Sequence, residues 1–527
     1  MEGKILDKKK EIVDKGKKGI FKVVFGRTTI VVLLLLLQIL ILSLAFLWLE
    51  KYVVFFYGGS VFLSAILVIH IVNKDENPAF KLAWMIPLLV FPVFGALLYL
   101  FLHLQIGTAL INERLKRLSQ ETKEYSNQRQ DVLEDLMELD PSVGSLATYL
   151  QREAGAPVYR NTSVDYFSIG EDMFESMKEE LLKAESFIFM EFFIVEDGYM
   201  WNSILDILKK KVKEGVEVRF MYDGMCSIAL LPYHYPKKLE KFGIKCKMFS
   251  PIRPALSTHQ NNRDHRKILV IDGHTAYTGG INLADEYINL KVRFGHWKDT
   301  GIMLKGDAVQ HFTLMFLQMW NITEKTEEDF ERYLKVPQFR IPLEEDGFVI
   351  PYGDSPFDKE LVGKIVYMDI INTAKSYVHI MTPYLILDNE LLTALTYAAK
   401  RGVEVIIIMP HIPDKWYAFA LAKTYYDELI AAGVKIYEYT PGFVHSKSFT
   451  SDDEKAVVGS INLDYRSLYL HFECAAYIYR NEEVAAMEVD FHETLAKCQR
   501  ITIEENRKRN IFLKLFGKMM RIIAPLM

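Results

Sequence analysis

The chain has 527 residues, half of them hydrophobic, and a formal net charge of −5 at pH 7. That length exceeds one ordinary domain and predicts two or three units. The absence of a basic excess argues against a nucleic-acid binder, and four cysteines without CxxC or metal-ligand spacing argue against a zinc or disulfide framework.

The first 102 residues predict a membrane region. A basic arm, residues 1–27, carries nine Lys and Arg, and it either directs topology or binds anionic lipid headgroups. Three uncharged runs follow at 28–49, 52–72 and 82–102. Each is long enough for a helix to cross about 30 Å of hydrocarbon, and prolines predict a kink in the third. We therefore expect a multi-pass protein of the cell membrane, with the side that holds the remaining chain left open.

A polar stretch at 103–150 predicts a helical connector, and beyond it β-rich runs alternate with amphipathic helices, as in α/β folds. The pattern occurs twice. Gly-Val-Glu-Val begins at Gly215 and again at Gly402, and Ala-x-Ser begins at Ala184 and again at Ala374. The glycines fall where a helix is expected to end with positive φ. We assign 151–335 to repeat one, 336–505 to repeat two and 506–527 to an amphipathic tail.

Both repeats contain one short motif of histidine, lysine and aspartate, followed at equal spacing by an asparagine. The copies are His265, Lys267, Asp272 and Asn282 in repeat one, and His445, Lys447, Asp452 and Asn462 in repeat two. The residues after each motif lysine alternate as in a strand, which predicts that histidine and lysine share one face. A single copy could arise by chance, whereas two copies at equivalent positions of a repeat indicate a duplicated functional site.

This residue set suits chemistry on a phosphodiester. A neutral imidazole can attack phosphorus and form a covalent intermediate, and ammonium groups neutralise the charge that develops on the phosphoryl oxygens. A second imidazole can protonate the leaving alkoxide and then activate the incoming alcohol. Because the lysines supply the positive charge, we expect no metal and no cofactor. The two motif aspartates lie at strand ends, where they either take part in catalysis or only cap the structure.

Three further segments carry expectations. Repeat one has ten extra residues before its motif, within Ile252–Asp264, and this insertion either shapes substrate access or is neutral. The second motif's strand, Ser448–Asp452, is the more polar one, which predicts an edge strand. The tail from Asn506 mixes basic and apolar residues, so it either lies on anionic lipid or packs against the catalytic part.

The motifs resemble those of the phospholipase D superfamily and, within it, the bacterial cardiolipin synthases. The resemblance covers about residues 75–527. Further similar stretches are Asn77–Trp84, Pro157–Asn161, Trp297–Thr300, Thr382–Tyr384 and Ile522–Leu526. It implies two duplicated phospholipase D-like α-β-α sandwich domains with pseudo-two-fold symmetry, preceded here by the transmembrane helical region.

The resemblance also implies an activity, in which two phosphatidylglycerol molecules give cardiolipin and glycerol through a phosphatidyl-histidine intermediate. His265 would be the nucleophile and His445 the acid and base. A carboxylate after each motif would orient the histidine. The residues implied to hold the phosphate are Lys267, Lys447, Asn282 and Asn462, and the carboxylates are Asp299 and Glu473.

Other functions stay open at this point. The same scaffold supports a membrane-bound hydrolase, or a transferase that uses another phospholipid, and these differ from the first reading only in the acceptor. Two complete motifs argue against a scaffold protein with a dead site. Expected partners are phosphatidylglycerol and anionic membrane lipid, with no nucleic acid, and the oligomeric state is left open.

Overall fold

The computed structural model describes residues 53–103, 106–250, 261–324, 328–334 and 347–526, with five isolated positions between 36 and 44. These residues form two compact units, one made of 1–105, 224–233 and 250–260 and the other of 106–223, 234–249 and 261–527. The basic arm, most of the first apolar run and most of the insertion before His265 lie outside the described residues.

The smaller unit contains three helices that pack on one another, α1 (Val53–Val72), α2 (Pro78–Val90) and α3 (Pro92–His103). The third apolar run is therefore not one helix, because it breaks at Phe91, the residue that precedes Pro92. A Cβ on Gly95 would lie 2.5 Å from the Pro87 carbonyl oxygen, so the chain reverses sharply at this point. At 13 and 12 residues, α2 and α3 each span only about 20 Å.

The predicted multi-pass region is consequently not supported. Within the part of the chain that the structure describes, no helix is both long enough and apolar enough to cross a bilayer. The kink expected in the third run is a break between two short helices instead.

The larger unit begins with the connector, which is helical as predicted. It consists of α4 (Ile106–Glu121), a 3₁₀ turn (Lys123–Ser126), α5 (Gln130–Leu139) and α6 (Pro141–Ala154). Asp140 ends α5 and begins α6, where its carboxylate accepts the backbone N–H groups of Ser142 and Val143.

Repeat one follows as a mixed sheet with helices. Its elements are β1 (Thr162–Phe167), α7 (Gly170–Lys183), β2 (Phe187–Phe192), α8 (Tyr199–Lys213), β3 (Glu217–Asp223), α9 (Cys226–Ala229, which belongs to the smaller unit), α10 (Tyr235–Glu240), β4 (Lys245–Phe249), β5 (Arg263–Asp264), β6 (Ile268–Ile271), β7 (Thr275–Gly279), a 3₁₀ turn (Asp285–Ile288), β8 (His296–Lys298), β9 (Gly301–Gly306), α11 (Val309–Asn321) and α12 (Glu331–Leu334).

Repeat two has the same succession. Its elements are β10 (Phe348–Asp354), α13 (Val362–Thr373), β11 (Tyr377–Met381), α14 (Asn389–Lys400), β12 (Glu404–Pro410), α15 (Trp416–Ala432), β13 (Lys435–Tyr439), β14 (Gly442–Val444), β15 (Ser448–Ser451), β16 (Lys455–Gly459), α16 (Tyr465–Tyr469), β17 (His471–Tyr479), α17 (Glu483–Leu495), β18 (Cys498–Ile501), α18 (Ile503–Arg507), α19 (Ile511–Ile523) and a 3₁₀ turn (Ala524–Leu526).

The two sheets have one topology. The first runs β1-β9-β7-β6-β2-β3-β4 and the second runs β10-β17-β16-β15-β11-β12-β13-β18. In each, three strands are parallel (β2-β3-β4 and β11-β12-β13) and the others pair antiparallel. Gly215 and Gly402 have φ of 96° and 97°, which fits their predicted position after a helix. The duplicated α/β fold is therefore confirmed.

A hydrophobic cluster joins the two repeats. It contains buried side chains from both sheets and from α11 and α17. Phe316 of α11 stacks on Phe189 of β2 with ring centroids 4.7 Å apart, while Cys474 of β17 and Met487 of α17 enter the same cluster. Because the two sheets bury their inner faces in one core, the motif strands of the two repeats are fixed relative to each other.

The prediction of an edge position for the second motif's strand is wrong. β15 lies inside the sheet, between β11 and β16. Its polar side chains are tolerated there because they have partners. Thr450 donates to the Glu488 carboxylate at 2.6 Å, and Ser451 donates to the Tyr377 carbonyl at 2.9 Å.

The tail forms an amphipathic helix, α19, that packs on α15. Gly517 faces the backbone of α15, and Phe516 packs against Trp416 with ring centroids 4.9 Å apart. Other apolar side chains stay exposed, among them Phe512 and Met519. The alternative in which the tail packs against the catalytic part is therefore confirmed, and an apolar outer face remains.

We predict that Gly517→Val separates α19 from α15. A Cβ at this position would lie 2.5 Å from the Ala420 carbonyl oxygen, and backbone cannot move aside cheaply. Overpacking of this kind costs about 1–3 kcal/mol, so thermal unfolding should begin at a lower temperature. The matched control is Met519→Val on the exposed side of the same helix, which should leave unfolding unchanged. Equal melting curves for Gly517→Val and the parent protein would contradict the prediction.

Candidate active site

The two motifs meet because each is preceded by a short strand that pairs with the opposite repeat. β5 comes directly before His265 and pairs with β17 of repeat two. β14 comes directly before His445 and pairs with β8 of repeat one. Backbone bonds extend both pairings, since His265 N–H donates to the Phe472 carbonyl at 2.9 Å and His445 N–H to the Lys298 carbonyl at 2.7 Å.

Each histidine consequently bonds to a carboxylate of the other repeat. Nδ1 of His265 lies 2.9 Å from both carboxylate oxygens of Glu473, and Nδ1 of His445 lies 2.6 Å from Oδ2 of Asp299. A carboxylate can only accept, so the proton sits on Nδ1 and the lone pair on Nε2. Sequence alignment finds both carboxylates but assigns each to its own repeat, because strand exchange leaves no mark in a single repeat.

The motif lysines precede the strands on which they were expected. β6 begins at Ile268 and β15 at Ser448, one residue after Lys267 and Lys447 respectively. Each ammonium turns back to its own histidine. Lys267 donates to the His265 carbonyl at 2.5 Å, whereas Lys447 lies 3.0 Å from Nδ1 of His445 and also donates to that residue's carbonyl.

Both ammonium groups are buried, with 1% of each residue exposed. Among the residues that the structure describes, neither makes an ion pair with a carboxylate. Burial lowers the pKa of Lys267 to about 8 and that of Lys447 to about 7. Burial and the neighbouring Lys447 likewise lower the pKa of His445 to about 4, and burial with both lysines holds the pKa of His265 well below its usual value. The Asp299 and Glu473 carboxylates lie close enough to raise both lysine pKa values, but burial outweighs them.

The motif aspartates lie at the other ends of these strands. Asp272 accepts the backbone N–H groups of Glu185, Ser186 and Phe187, each at 2.7 Å. Asp452 accepts the equivalent three groups, those of Lys375, Ser376 and Tyr377, at 2.7–3.0 Å. Both have positive φ, at 52° and 55°. Each aspartate therefore holds the loop before β2 or β11 in place.

The two asparagines differ in their protein contacts. Oδ1 of Asn282 accepts the Ile194 N–H at 2.9 Å, and its Nδ2 donates to the Tyr287 hydroxyl at 2.8 Å. Nδ2 of Asn462 donates to Ser467 at 3.1 Å, while no residue that the structure describes bonds to its buried Oδ1. Each Nδ2 carries a second N–H, which is the group that either residue could offer to a phosphate oxygen.

The residue two positions before each motif asparagine, Gly280 or Ser460, contacts the carboxylate that orients the histidine of the other repeat. A Cβ on Gly280 would lie 2.0 Å from Oδ1 of Asp299, so only glycine fits there. In repeat two the equivalent Ser460 donates its hydroxyl to Glu473. The shorter Asp299 packs directly on the glycine, whereas the longer Glu473 accepts a hydrogen bond from the serine. The difference between Gly280 and Ser460 therefore follows the difference between the two carboxylates.

Sequence reasoning missed the aromatic neighbours of the histidines. The His471 ring lies 5.5 Å from the His265 ring, and the equivalent Trp297 lies 5.2 Å from His445. His471 is buried, and its Nδ1 lies 3.8 Å from Oε1 of Glu473. Neither ring nitrogen has a hydrogen-bond partner among the residues that the structure describes, and burial lowers the pKa of His471 to about 4. Both residues stand two positions before the carboxylates, so aligning the repeats on Asp299 and Glu473 would have found them.

His265, His471 and Glu473 also satisfy the distance requirement for a metal site, because their ligand atoms lie within 4.8 Å of one another. However, the Glu473 carboxylate is already bonded to His265 and Ser460. This group therefore belongs to the histidine-orienting network of the centre.

Family models match both parts of the chain. The model described as "Cardiolipin synthase, PLD-like domain" matches residues 177–320 and 367–495, and so includes both motifs. The model described as "Phospholipase_D-nuclease N-terminal" matches residues 62–102.

Similar proteins cover most of the chain. An uncharacterised protein of Streptococcus mutans is 52% identical, over 87% of this chain and 99% of its own. Cardiolipin synthases of Halalkalibacterium halodurans and Alkalihalophilus pseudofirmus are each 34% identical, over 86% and 89% of this chain and 90% and 93% of their own. Among solved structures, phosphatidylserine synthase of Haemophilus influenzae shares the fold, with a TM-score of 0.55, 13% identity, and coverage of 72% of this chain and 97% of that one.

We predict that Gly280→Ala disables the centre without unfolding the protein. The added methyl group would displace Asp299, so His445 would lose the hydrogen bond that fixes its tautomer. Loss of such an orienting carboxylate lowers turnover by about 10²-fold or more. The control Ser460→Ala keeps a Cβ that repeat two already accommodates and should lose less than about 10-fold. The steady-state rate and the melting temperature are measured for each variant. A normal rate for Gly280→Ala would show that the hydrogen bond between Asp299 and His445 is not required.

Proposed function

Because the chain belongs to the cardiolipin synthase family of phospholipase D-like proteins, we propose that it makes cardiolipin from two phosphatidylglycerol molecules and releases glycerol. The protein is a phospholipid phosphatidyltransferase. Its two lipid substrates, its product and the roles of its active-site residues are what we propose. The names of the relatives support cardiolipin as the product.

One observation carries the proposal, namely the two buried ammonium groups of Lys267 and Lys447 without ion-pair partners among the described residues. Buried charge is costly unless it is paired. A phosphodiester brings a negative charge to the two lysines and at the same time brings its phosphorus to the two histidines. Binding such a group would also raise the lysine pKa values toward their usual range.

In the first half-reaction, Nε2 of His265 attacks phosphorus of the first phosphatidylglycerol. The bond from phosphorus to the glycerol headgroup oxygen breaks, and His445, which enters this step as the imidazolium with a proton on each ring nitrogen, gives its Nε2 proton to that oxygen. The negative charge of the bound phosphodiester favours this protonated form. Asp299 at 2.6 Å stabilises the charged His445 that donates this proton. Glycerol leaves, and a phosphatidyl group remains on His265.

In the second half-reaction, His445 takes a proton from the free primary hydroxyl of another phosphatidylglycerol. That oxygen attacks phosphorus, the bond from phosphorus to Nε2 of His265 breaks, and cardiolipin is released. The two substrate molecules together contain two phosphodiesters, and cardiolipin also contains two. The transfer therefore needs no energy source and is reversible. Lys267 and Lys447, with the remaining N–H groups of Asn282 and Asn462, would hold the phosphoryl oxygens in both steps.

We infer that the enzyme meets these lipids at an anionic membrane surface. The outer side of α19 presents Phe512, Leu515 and Met519 to solvent, at 78%, 58% and 60% exposed. Lys514 and Lys518 lie on the same helix. Apolar side chains flanked by lysines are typical of helices that lie in the headgroup region of anionic bilayers.

The proposal predicts that purified protein converts labelled phosphatidylglycerol, in detergent or vesicles, to cardiolipin and glycerol in equal amounts. Addition of glycerol to cardiolipin should regenerate phosphatidylglycerol. Thin-layer chromatography or mass spectrometry of the lipids measures both directions. Phosphatidic acid as the only lipid product would instead identify a hydrolase, and a product with another headgroup would identify a different transferase.

His265→Ala serves as the control for this assay. Without the nucleophile, cardiolipin formation should fall by about 10³-fold or more, while the melting temperature stays close to that of the parent protein. Full activity in this variant would exclude the phosphatidyl-histidine mechanism, even if cardiolipin is the product.

We also predict that kcat/KM falls as pH rises through about 7 to 8. The reason is that Lys447 and Lys267, with pKa values lowered to about 7 and about 8, lose their charge in the free enzyme. A lysine is charged below its pKa, so the activity is present on the acid side and lost on the alkaline side. The substrate phosphodiester keeps its charge throughout this range.

Lys447→Arg tests the assignment, because arginine stays charged up to a pH of about 12. Whatever its absolute rate, this variant should keep only the part of the fall that belongs to Lys267, and the midpoint should move to higher pH. Far-ultraviolet circular dichroism over the same range serves as the control for folding. A kcat/KM that rises steadily from pH 6 to pH 9 would rule the prediction out.

A further inference from the structure

Repeat two contains a second cluster of chemically active side chains, on α17 and the neighbouring strand β11. Nδ1 of His379 lies 2.7 Å from Oε1 of Glu488, and Nε2 of His492 lies 3.0 Å from the same oxygen. One nitrogen from each ring and the carboxylate oxygen lie within 4.8 Å of one another. The other carboxylate oxygen of Glu488 accepts the Thr450 hydroxyl at 2.6 Å. None of these residues takes part in the phosphodiester centre.

The duplication shows what usually fills this position in the fold. Pairing of β2 with β6 and of β11 with β15 aligns Phe189 with His379 and Val270 with Thr450. The helices α11 and α17 follow their strands at the same spacing, which aligns Leu314 with Glu488 and Gln318 with His492. Phe189, Val270 and Leu314 are fully buried members of the hydrophobic core.

The fold therefore accepts apolar side chains at three of these four places in repeat one. In repeat two the same places hold an imidazole, a hydroxyl and a carboxylate, whose burial costs free energy unless every polar atom is satisfied. One atom is not satisfied. His379 is 3% exposed, and within the described part of the chain its buried Nε2 has no hydrogen-bond partner.

The position of that nitrogen indicates what is missing. When Nδ1 of His379 donates to Glu488, Nε2 has only a lone pair, and it lies 3.7 Å from Oε1 of Glu404, another acceptor. If Nδ1 instead binds a cation, the ring proton moves to Nε2 and points toward Glu404. A ligating histidine whose second nitrogen faces a carboxylate is the usual arrangement at protein metal sites.

We propose that His379, Glu488 and His492 bind one divalent transition-metal ion of the zinc type. Two imidazoles and one carboxylate are a common zinc ligand set, with water in the fourth position. Tetrahedral bonds of about 2.0–2.2 Å place ligand atoms roughly 3.3 Å apart. The Glu488 oxygen, now 2.7 Å from His379 and 3.0 Å from His492, would have to move away from both rings, and the two ring nitrogens lie within 4.8 Å of each other. His492, whose side chain is 59% exposed, provides both that freedom and a path for the ion from solvent.

The site would act on the enzyme through α17, without entering the chemistry. The same helix carries Asp490, whose carboxylate oxygens lie 2.8 and 2.7 Å from Nζ of Lys298. The Lys298 carbonyl accepts the His445 N–H, and Asp299 is the next residue. An ion that ties α17 to β11 would therefore stiffen the helix that holds the strand behind His445.

The test titrates Zn²⁺ alone, and then Co²⁺ alone, into the full-length protein in detergent after chelator treatment and dialysis. Calorimetry should find one equivalent of Zn²⁺, and Co²⁺ should give the intense visible absorption of a tetrahedral site. His492→Gln, which installs the residue of repeat one, should weaken binding by more than the ~10–100-fold that loss of an outer carboxylate partner costs. Glu404→Gln should weaken it within that range.

His411→Ala is the matched control. This histidine also belongs to repeat two, has a side chain that is 44% exposed, and lies 3.2 Å from a carboxylate oxygen of Glu438, yet it is outside the cluster. Its loss should leave the affinity for Zn²⁺ unchanged. The proposal is overturned if the parent protein takes up no stoichiometric Zn²⁺ or if His492→Gln binds Zn²⁺ as tightly as the parent. It is also overturned if His492→Gln and the control His411→Ala lose Zn²⁺ affinity equally. Because no lipid is present, these outcomes do not depend on the proposed function.

Discussion

The hydrogen bond from each motif histidine to a carboxylate of the other repeat is the constraint on which the active centre depends. Neither repeat by itself contains a motif histidine together with the carboxylate that orients it. His265 of repeat one bonds to Glu473 of repeat two, and His445 of repeat two bonds to Asp299 of repeat one. The exchange is made by backbone, through β5 on β17 and β14 on β8. The shared hydrophobic core then keeps the two sheets in the one arrangement in which both exchanges form together. Stability of the interface between the repeats and integrity of the centre are for this reason the same property.

Duplication places two similar motifs in one centre, but the residues around the two motif histidines differ between the copies. Asp299 packs on Gly280, whereas Glu473 accepts from Ser460. Trp297 lies beside His445, whereas His471 lies beside His265. An imidazole ring beside His265 and an indole ring beside His445 give the two motif histidines different surroundings. Under the proposed mechanism, this asymmetry would let one histidine act as nucleophile and the other as acid.

The duplicated fold and the motif residues could be predicted from the sequence because both depend on local pattern. Strand and helix periodicity, glycines at helix ends and fixed motif spacing are all written within short segments. The pairing of His265 with Glu473 could not be predicted, since it depends on how two distant segments meet in space. The same limit explains the errors. The third apolar run has the composition of one helix, but Phe91 and Gly95 reverse the chain within it. The polar β15 has the composition of an edge strand, but Glu488 of α17 and the Tyr377 carbonyl of β11 accept hydrogen bonds from its hydroxyls inside the sheet.

Polarity in a central strand requires a partner, and the partner of Thr450 is a glutamate that two histidines also contact. Repeat one shows that the fold itself does not require this group, because an apolar set packs in its place. The two copies must agree where they share a centre, at the motif histidines and lysines. They differ at the cluster of His379, Thr450 and Glu488, where repeat one has apolar side chains. A polar cluster that is buried, incompletely hydrogen-bonded and confined to one copy is consequently where a function separate from the shared centre can be built.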